Sequence, residues 1–329
     1  MDNTSNGKIT AYNQPFITQR ADPYIYRDSD GIYYFTASMP LYDCVILRRA
    51  ESIQGLKDAE EKVLWWKHES GIMSKHVWAP EIHKIDGQWY IYFAAGDVDD
   101  VWEIRPYVLK CTGPDPITDK WEECGKMQSV PGDEVYFTGF SLDATIFENK
   151  GTRYVIWAEK PREIQPPISN LYLAPMKSPT QLAALPILLT TPELDWEIID
   201  FKVNEGPAII KKDGMIFVTY SASSTGACYC MGLLSISEEA DMMDKSAWKK
   251  YDKPVFATDI EKGLYGPGHN SFTKTADGRD ICVYHARTYE KIEGDPLYDP
   301  NRHVFLAEVF WQDGKPIIKA STTEEQAGF

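Results

Sequence analysis

Three carboxylates, a histidine and a tryptophan occupy corresponding places in five similar segments of this 329-residue chain. Each lies eight or nine residues before a turn glycine. They are Asp22, Trp78, Asp143, Glu205 and His269, in the contexts "RADPYIY", "HVWAPEI", "SLDATIF", "NEGPAII" and "GPGHNSF". Two facing carboxyl groups, one protonated and one ionised, can cleave a glycosidic bond by acid–base chemistry. A third carboxylate can raise the pKa of the acid because like charges disfavour ionisation.

Each of these residues, taken singly, has an ordinary structural explanation. An aspartate before proline is typical of a turn, and a tryptophan or histidine is often part of a core. The acidic stretches at 96–100, 293–295 and 322–326 have no counterparts in other segments, so we interpret them as solvated loops. A shared position in five segments has no such explanation. We therefore expect the five side chains to converge on one site.

The five segments themselves predict the fold that positions this site. Each contains an apolar strand, a turn that ends in glycine and a second, aromatic-rich strand, which is a hairpin pattern. The turn glycines are Gly31, Gly87, Gly151, Gly214 and Gly278, spaced 56 to 64 residues apart. Such a period predicts an all-β, five-bladed β-propeller with four antiparallel strands per blade and a site in the central funnel. A two-sheet sandwich is the alternative, but it does not predict an even period.

We predict a single catalytic propeller domain over 1–329, with blades starting near 21, 77, 141, 203 and 267. The first strand of each blade would line the central channel and bring the five side chains together. Two long segments, at 159–167 and 288–303, could close one end of the funnel into a pocket.

Charge and composition restrict the partners. The net charge of −15 makes nucleic acid and anionic membranes poor partners and suits a neutral ligand. Tyrosine and tryptophan, with 19 and 10 copies, supply flat faces for a sugar ring. The first ten residues, "MDNTSNGKIT", lack the basic and apolar regions of a signal peptide, which predicts a cytoplasmic location. A secreted protein whose leader has been removed is the alternative.

The motifs "ADPYI", "HVWAPE", "LDATIF", "EGPAI" and "GPGHNSF…VYHAR" together resemble glycoside hydrolase family 43, over roughly residues 14–318. This family consists of five-bladed propeller enzymes that cleave arabinofuranosides and xylosides with inversion at the anomeric carbon. The resemblance implies that Asp22 is the general base, Glu205 the general acid, and Asp143 the residue that orients the acid and modulates its pKa.

The resemblance also implies roles for residues around the carboxylates. His269 matches a position that contacts a central hydrated cation, usually calcium, with a structural role and no part in the chemistry. Arg287 matches an arginine that binds the terminal sugar, and Trp78 would form a wall of that sugar's subsite. Phe140 completes the predicted substrate-binding set.

Among family activities, the sequence is most similar to exo-acting α-L-arabinofuranosidases, which release terminal arabinofuranose from oligosaccharides derived from arabinan or arabinoxylan. The chain stops soon after the fifth blade, without the long C-terminal β-sandwich of the two-domain β-xylosidases. An endo-arabinanase or β-xylosidase on the same scaffold remains the alternative. A non-catalytic carbohydrate-binding propeller is disfavoured because all three carboxylates are present.

Overall fold

Five antiparallel sheets make up the computed structural model, which describes residues 14–162 and 167–329. The first blade contains β1 Ala21–Arg27, β2 Tyr33–Ser38, β3 Cys44–Ala50 and β4 Lys62–Trp66. The second contains β5 Lys75–Ile85, β6 Gln88–Gly96, β7 Arg105–Cys111 and β8 Trp121–Lys126. The third contains β9 Phe140–Asn149, β10 Thr152–Lys160, β11 Asn170–Ser178, β12 Gln181–Leu182 and β13 Ile187–Thr190.

The last two blades each have four strands. The fourth contains β14 Asn204–Lys212, β15 Met215–Ala222, β16 Cys230–Ser237 and β17 Lys249–Lys250. The fifth contains β18 Tyr265–Lys274, β19 Asp280–Arg287, β20 His303–Gln312 and β21 Lys315–Ile318. Helical structure in the described residues is limited to α1 Thr323–Ala327 and the short 3-10 helices Gln54–Lys57, Asp195–Glu197, Lys245–Ala247 and Pro296–Tyr298.

The first strands of the blades form a closed ring. β1 contacts β5 and β18, β9 contacts β5 and β14, and β14 contacts β18. The predicted five-bladed propeller is therefore confirmed, and its predicted blade starts lie within two residues of these strand starts. Residues 1–13 of the predicted single domain lie outside the described residues, and that domain assignment stays a prediction.

The third blade departs from four simple strands. β12 and β13 both pair with β11, so two short pieces share the outer position that one strand fills elsewhere. Pro186 lies directly before β13 and has no N–H to donate to a ladder. The outer edge of this blade is therefore interrupted between the two pieces.

Hairpin turns connect the two inner strands of each blade, as the sequence predicts. All five turn glycines have positive φ, from 75° at Gly151 to 92° at Gly278. In blades two, three and four the preceding residue also has positive φ, for example Asp86 at 52° and Asp213 at 50°. Two successive left-handed residues form the turn that matches the twist of the flanking strands.

Apolar packing joins each blade to the next and closes the ring. In the seam between blades five and one, Val283 and Leu306 pack with Ile25 and Phe35, and all four are buried. Four similar clusters fill the other seams. Because these seams bury the apolar faces of every sheet, the ring is held by hydrophobic burial and the channel side is left for polar groups.

Candidate active site

Irregularities at the start of the first strands turn polar side chains toward the central axis. The pairing register breaks after Ala21 in β1, after Glu205 in β14 and after Tyr265 in β18. Asp22, Asp143 and His269 have left-handed backbones, with φ of 51°, 56° and 40°. Bulges of this kind redirect side chains, and left-handed non-glycine residues are concentrated at functional sites.

A pocket of about 130 Å³ lies where these strands begin. It brings together most of the residues predicted from the sequence, namely Asp22, Trp78, Phe140, Asp143, Glu205 and His269. It also contains residues that the repeat pattern does not single out, among them Trp102, Thr225, Tyr229, Leu297 and Arg302. Leu297 and Arg302 belong to the 288–303 segment, which the sequence predicts to close one end of the funnel. Residues 163–166 of the other predicted wall lie outside the described residues.

Larger hollows also occur among the described residues. One of about 770 Å³ is lined by the far end of β1, and its acidic groups are paired with lysines. Asp28 lies 2.6 Å from Lys84 Nζ, and Asp280 is bound to Lys274. The small pocket is the stronger candidate because its buried carboxylates share one space.

Asp22 is an ionised carboxylate surrounded by positive and donor groups. Its Oδ1 lies 3.4 Å from both His269 Nδ1 and Arg302 Nη1, and its Oδ2 accepts a 2.5 Å hydrogen bond from Ser38. Burial alone would raise its pKa, but the charges of His269 and Arg302 bring that pKa well below the ordinary value. Asp22 can therefore accept a proton from water.

His285 positions Asp22 without a charge of its own. Its Nδ1 accepts a 3.0 Å hydrogen bond from the Asp22 backbone N–H, and that nitrogen also lies 3.2 Å from Asp22 Oδ1. Burial lowers the pKa of His285 to about 3, so its ring is neutral. We interpret the short distance as packing beside the carboxylate and not as an ion pair, because Nδ1 already uses its lone pair.

Asp143 and Glu205 behave as a proton-retaining pair. Burial, with the nearby charges of Glu205 and Asp22, raises the pKa of Asp143 to about 8 despite the opposing charge of His269. Burial also raises the pKa of Glu205, against its hydrogen bond from Tyr229. Because neighbouring carboxylates in a buried site resist joint ionisation, the pair keeps a proton near neutral pH.

The two members of the pair differ in their surroundings. Asp143 is 6% exposed, and its Oδ2 accepts a 3.0 Å hydrogen bond from the Gly206 N–H, which favours its anionic form. Glu205 is partly exposed to the pocket, and its Oε1 accepts a 2.8 Å hydrogen bond from Tyr229. Glu205 is therefore the member of the pair from which the shared proton can reach a ligand.

Tyr229 donates a hydrogen bond to Glu205 within the fourth blade. Close packing fixes the ring of Tyr229. A Cβ on Gly268 would lie 2.2 Å from Tyr229 Cε1, so only glycine leaves room for this side chain. The same ring stacks on His285 at 5.7 Å. The glycines of the "GPGH" motif thus allow the tyrosine to approach the acid.

His269 lies between the carboxylates as a positive group. Its Nδ1 is 3.4 Å from Asp22 Oδ1 and 3.8 Å from Asp143 Oδ2. Burial opposes its charge, but Asp22, Asp143 and Glu205 together raise its pKa. Within residues 14–162 and 167–329, no group of three or more histidine, cysteine, aspartate or glutamate side chains is arranged to hold a metal ion.

Arg287, predicted to bind the terminal sugar, does not line the pocket. It is 2% exposed, and its guanidinium donates to the carbonyls of Thr225 and Pro296 at 2.6 and 2.7 Å. It therefore ties two loops together. Arg302 instead reaches the pocket, and Asp22 raises its pKa although burial opposes this.

Aromatic side chains form one wall of the pocket. Trp78 stacks on His76 with ring centres 4.5 Å apart, and Trp102 lies beside both Trp78 and Phe140. Trp102 is 51% exposed, so its indole continues the wall beyond the pocket mouth. Trp78 Nε1 is buried and makes no hydrogen bond with the described residues.

The carboxylate pair predicts a pH-dependent stability. Because the folded state raises the pKa of Asp143 to about 8, stability is present at low pH and is lost as the pH rises from about 4 to 8. Asp143→Asn keeps an oxygen for the Gly206 N–H but removes the charge. The melting temperature of both proteins should fall between pH 5 and pH 8.5. We expect the fall to be smaller for Asp143→Asn than for the wild type, with a difference of roughly a few degrees. Parallel melting curves at the two pH values would contradict the assignment.

The pattern for glycosyl hydrolases family 43 matches residues 12–316. The chain is 48% identical over 307 residues to a protein of Streptomyces avermitilis named extracellular exo-alpha-(1->5)-L-arabinofuranosidase, covering 93% of this chain and 62% of the relative. A protein of Streptomyces chartreusis with the same name is 46% identical, with 87% of this chain and 85% of the relative covered.

A solved structure shows the same architecture. The crystal structure of an alpha-L-arabinofuranosidase from Lactobacillus brevis superposes with a TM-score of 0.86 at 46% identity, covering 93% of this chain and 95% of that one. This similarity extends over all five blades.

The predicted cytoplasmic location is wrong, because both Streptomyces relatives are named extracellular. The prediction depended on the first ten residues, which lie outside the described residues. Within the described residues, no helix has the length and apolar character needed to cross a bilayer. The family is not in question, since its pattern and these relatives cover most of the sequence: the chain belongs to glycosyl hydrolases family 43.

Proposed function

We propose that this protein is an exo-acting α-L-arabinofuranosidase that releases terminal arabinofuranose, with inversion, from oligosaccharides of arabinan or arabinoxylan. One observation carries the proposal. A pocket of only about 130 Å³ holds an ionised carboxylate together with a carboxyl pair that retains a proton. That volume is far below the roughly 300–1,000 Å³ of sites for larger ligands, which suits a single terminal sugar ring.

In this mechanism Asp22 is the general base. It is the carboxylate whose pKa is lowered, so it is ionised at the pH where the pair still holds a proton. It would deprotonate a water molecule that attacks the anomeric carbon. An inverting enzyme leaves about 6.5–9.5 Å between its carboxyl groups so that this water fits.

Glu205 is the proposed general acid. Its raised pKa keeps the proton available, and its partial exposure lets that proton reach the glycosidic oxygen. Asp143 would hold the acid in place and, as the second carboxyl of the pair, help it to retain the proton. Opposite pKa shifts on two groups of one site are the pattern expected of an acid and a base.

The remaining pocket residues would bind the sugar. Trp78 and Phe140 offer faces for the ring, as predicted from the sequence, and Arg302 offers charged donors next to Asp22. We assign the arginine's part to Arg302 because Arg302 lines the pocket and Arg287 does not.

We retain a central calcium ion near His269, held through water, as a proposal. Calcium prefers oxygen ligands, and Nδ1 of His269 faces two carboxylates, so any contact with an ion would involve the opposite ring nitrogen. The described side chains do not form a direct metal site. No step of the hydrolysis is assigned to an ion, because the two carboxylates supply both proton transfers.

Product analysis tests the proposal. Arabinose is expected as the only early product from linear α-1,5-linked arabino-oligosaccharides, since the closed pocket accepts one terminal ring. Early release of arabinobiose or arabinotriose would indicate an endo-arabinanase. Xylose from xylobiose at a comparable rate would indicate a β-xylosidase. The Asp22→Asn variant, purified in the same way, controls for contaminating activity.

A further inference from the structure

Phe137 adopts a costly backbone conformation directly before the pocket wall. It lies in the 133–139 loop, which leads into β9 and hence to Phe140 and Asp143. Its φ is 58°, and its side chain is 1% exposed. A bulky residue in this left-handed region is uncommon and persists only where surrounding contacts enforce it.

Two buried charges hold the loop on either side of this strained point. Glu159 Oε1, from β10, accepts a 3.0 Å hydrogen bond from the Phe137 N–H. The guanidinium of Arg105, at the start of β7, donates to the carbonyl of Thr138. The backbone that enters the pocket wall is thus fixed at two groups, the Phe137 N–H and the Thr138 carbonyl.

The second oxygen of Glu159 is also occupied by a donor. Oε2 accepts a 2.7 Å hydrogen bond from Trp157 Nε1, and Glu159 is only 1% exposed. Both oxygens therefore accept from N–H groups. The carboxylate accepts both bonds at full strength, whereas the hydroxyl oxygen of the protonated acid is a poor acceptor, so protonation weakens one of the two bonds.

The environment places this protonation near neutral pH. Burial raises the pKa of Glu159 to about 7, against the two hydrogen bonds and the charge of Arg105. The other ionisable groups that face it are Asp133 and Tyr136 in the loop and Tyr172 on β11. Arg105 is the one cation among these neighbours.

We propose that Glu159 is a positioning residue for catalysis, which in its ionised form anchors the 133–139 loop and thereby the Phe140 wall and the entry of β9. Protonation releases this anchor. The proposal rests on the proposed function, since it assigns a residue to that same pocket, although Glu159 itself touches neither the pocket nor the sugar.

The test compares kcat/KM of wild type and Glu159→Gln on an aryl α-L-arabinofuranoside from pH 5.5 to pH 8.5. Glutamine can accept from Phe137, but its amide N–H groups then face Trp157 Nε1–H, so it imitates the protonated acid. We expect wild type to exceed the variant about tenfold at pH 8.5, the effect of one hydrogen bond to a charged group. The ratio should approach one at pH 5.5. Ionisations common to both proteins cancel in this ratio.

Glu197→Gln is the matched control. Glu197 is equally buried and accepts hydrogen bonds from Tyr220 and Lys250, but its pKa is lowered, despite burial, by such bonds. A structural defect there should change kcat/KM by a factor that is constant between pH 5.5 and pH 8.5. If Glu159→Gln shows the same constant factor, Glu159 is only structural and the proposal is wrong.

Hydrogen exchange of the 133–140 peptide gives a readout independent of activity. After correction for the intrinsic rate, wild type should exchange faster at pH 5.5 than at pH 8.5. Glu159→Gln should exchange equally at both values. Protection in wild type that does not change with pH overturns the anchor, even if the variant fails to fold. If neither protein hydrolyses arabinofuranosides, the proposed function fails while this measurement still decides the role of Glu159.

Discussion

Replacing Asp22 with asparagine is expected to lower kcat about 10²- to 10⁴-fold on every substrate, the range of a lost general base. Asparagine preserves the shape and can accept from Ser38, but it cannot take a proton from the attacking water. That water is needed whatever the leaving group. The loss should therefore be equally large on an arabino-oligosaccharide and on a nitrophenyl arabinofuranoside, measured as kcat at saturation.

Asp28→Asn is the matched control for this variant. Asp28 directly follows β1, is 7% exposed like Asp22, and pairs with Lys84 outside the pocket. The control should keep the wild-type kcat, which would exclude a general effect of losing a buried aspartate from this blade. An Asp22→Asn enzyme that still cleaves the nitrophenyl substrate at near wild-type rate would contradict the base assignment.

Glu205→Gln is expected to separate the two substrates. A sugar alkoxide leaves poorly without a proton, so kcat on the oligosaccharide should fall about 10²- to 10⁴-fold. A nitrophenolate leaves readily on its own, so kcat on the aryl substrate should fall far less. The quantity to compare is the ratio of the two kcat losses, because it depends on leaving-group chemistry and not on the amount of folded enzyme.

Glu81→Gln serves as the control for Glu205. Glu81 is 8% exposed and lies 2.9 Å from His83 on β5, outside the pocket. It should not change the ratio between substrates. Equal losses of Glu205→Gln on both substrates, together with an Asp22→Asn variant that spares the aryl one, would show that the acid and the base are exchanged.

The repeat explains how much of the site could be predicted from the sequence. The turn glycines and the strand starts recur with one period, so Asp22, Asp143, Glu205 and His269 can be aligned with one another by their spacing alone. The propeller converts equal positions in sequence into nearness at one axis. The residues that follow this period accordingly lie together in the pocket.

Residues outside the period could not be found in this way. Tyr229 precedes the third strand of its blade, and Trp102 and Arg302 lie in loops between the second and third strands of theirs. Their approach to the axis depends on how each loop folds, and no repeat constrains it. The same limit affected Arg287, whose side chain turns toward Thr225 and Pro296 at the end of β19.

The protonation states were likewise beyond the sequence. Spacing indicates that three carboxylates meet, but not which one is ionised. That division follows from contacts across blades. The charges of His269 and Arg302 outweigh burial at Asp22, whereas burial outweighs the charge of His269 at Asp143 and Glu205. These contacts join residues that lie 63 to 280 positions apart in the sequence. Their effect depends on interatomic distances, which only the folded chain shows.

The stereochemistry of the first product tests the central claim most directly. That claim is that water activated by Asp22 attacks the anomeric carbon while Glu205 protonates the departing glycosidic oxygen. Proton NMR should be recorded during the first minutes of hydrolysis of an α-L-arabinofuranoside, before the anomers equilibrate. We predict that the β-anomer of arabinose appears first, because water attacks from the face opposite the leaving group. First appearance of the α-anomer would indicate a covalent intermediate and contradict the roles assigned to Asp22 and Glu205.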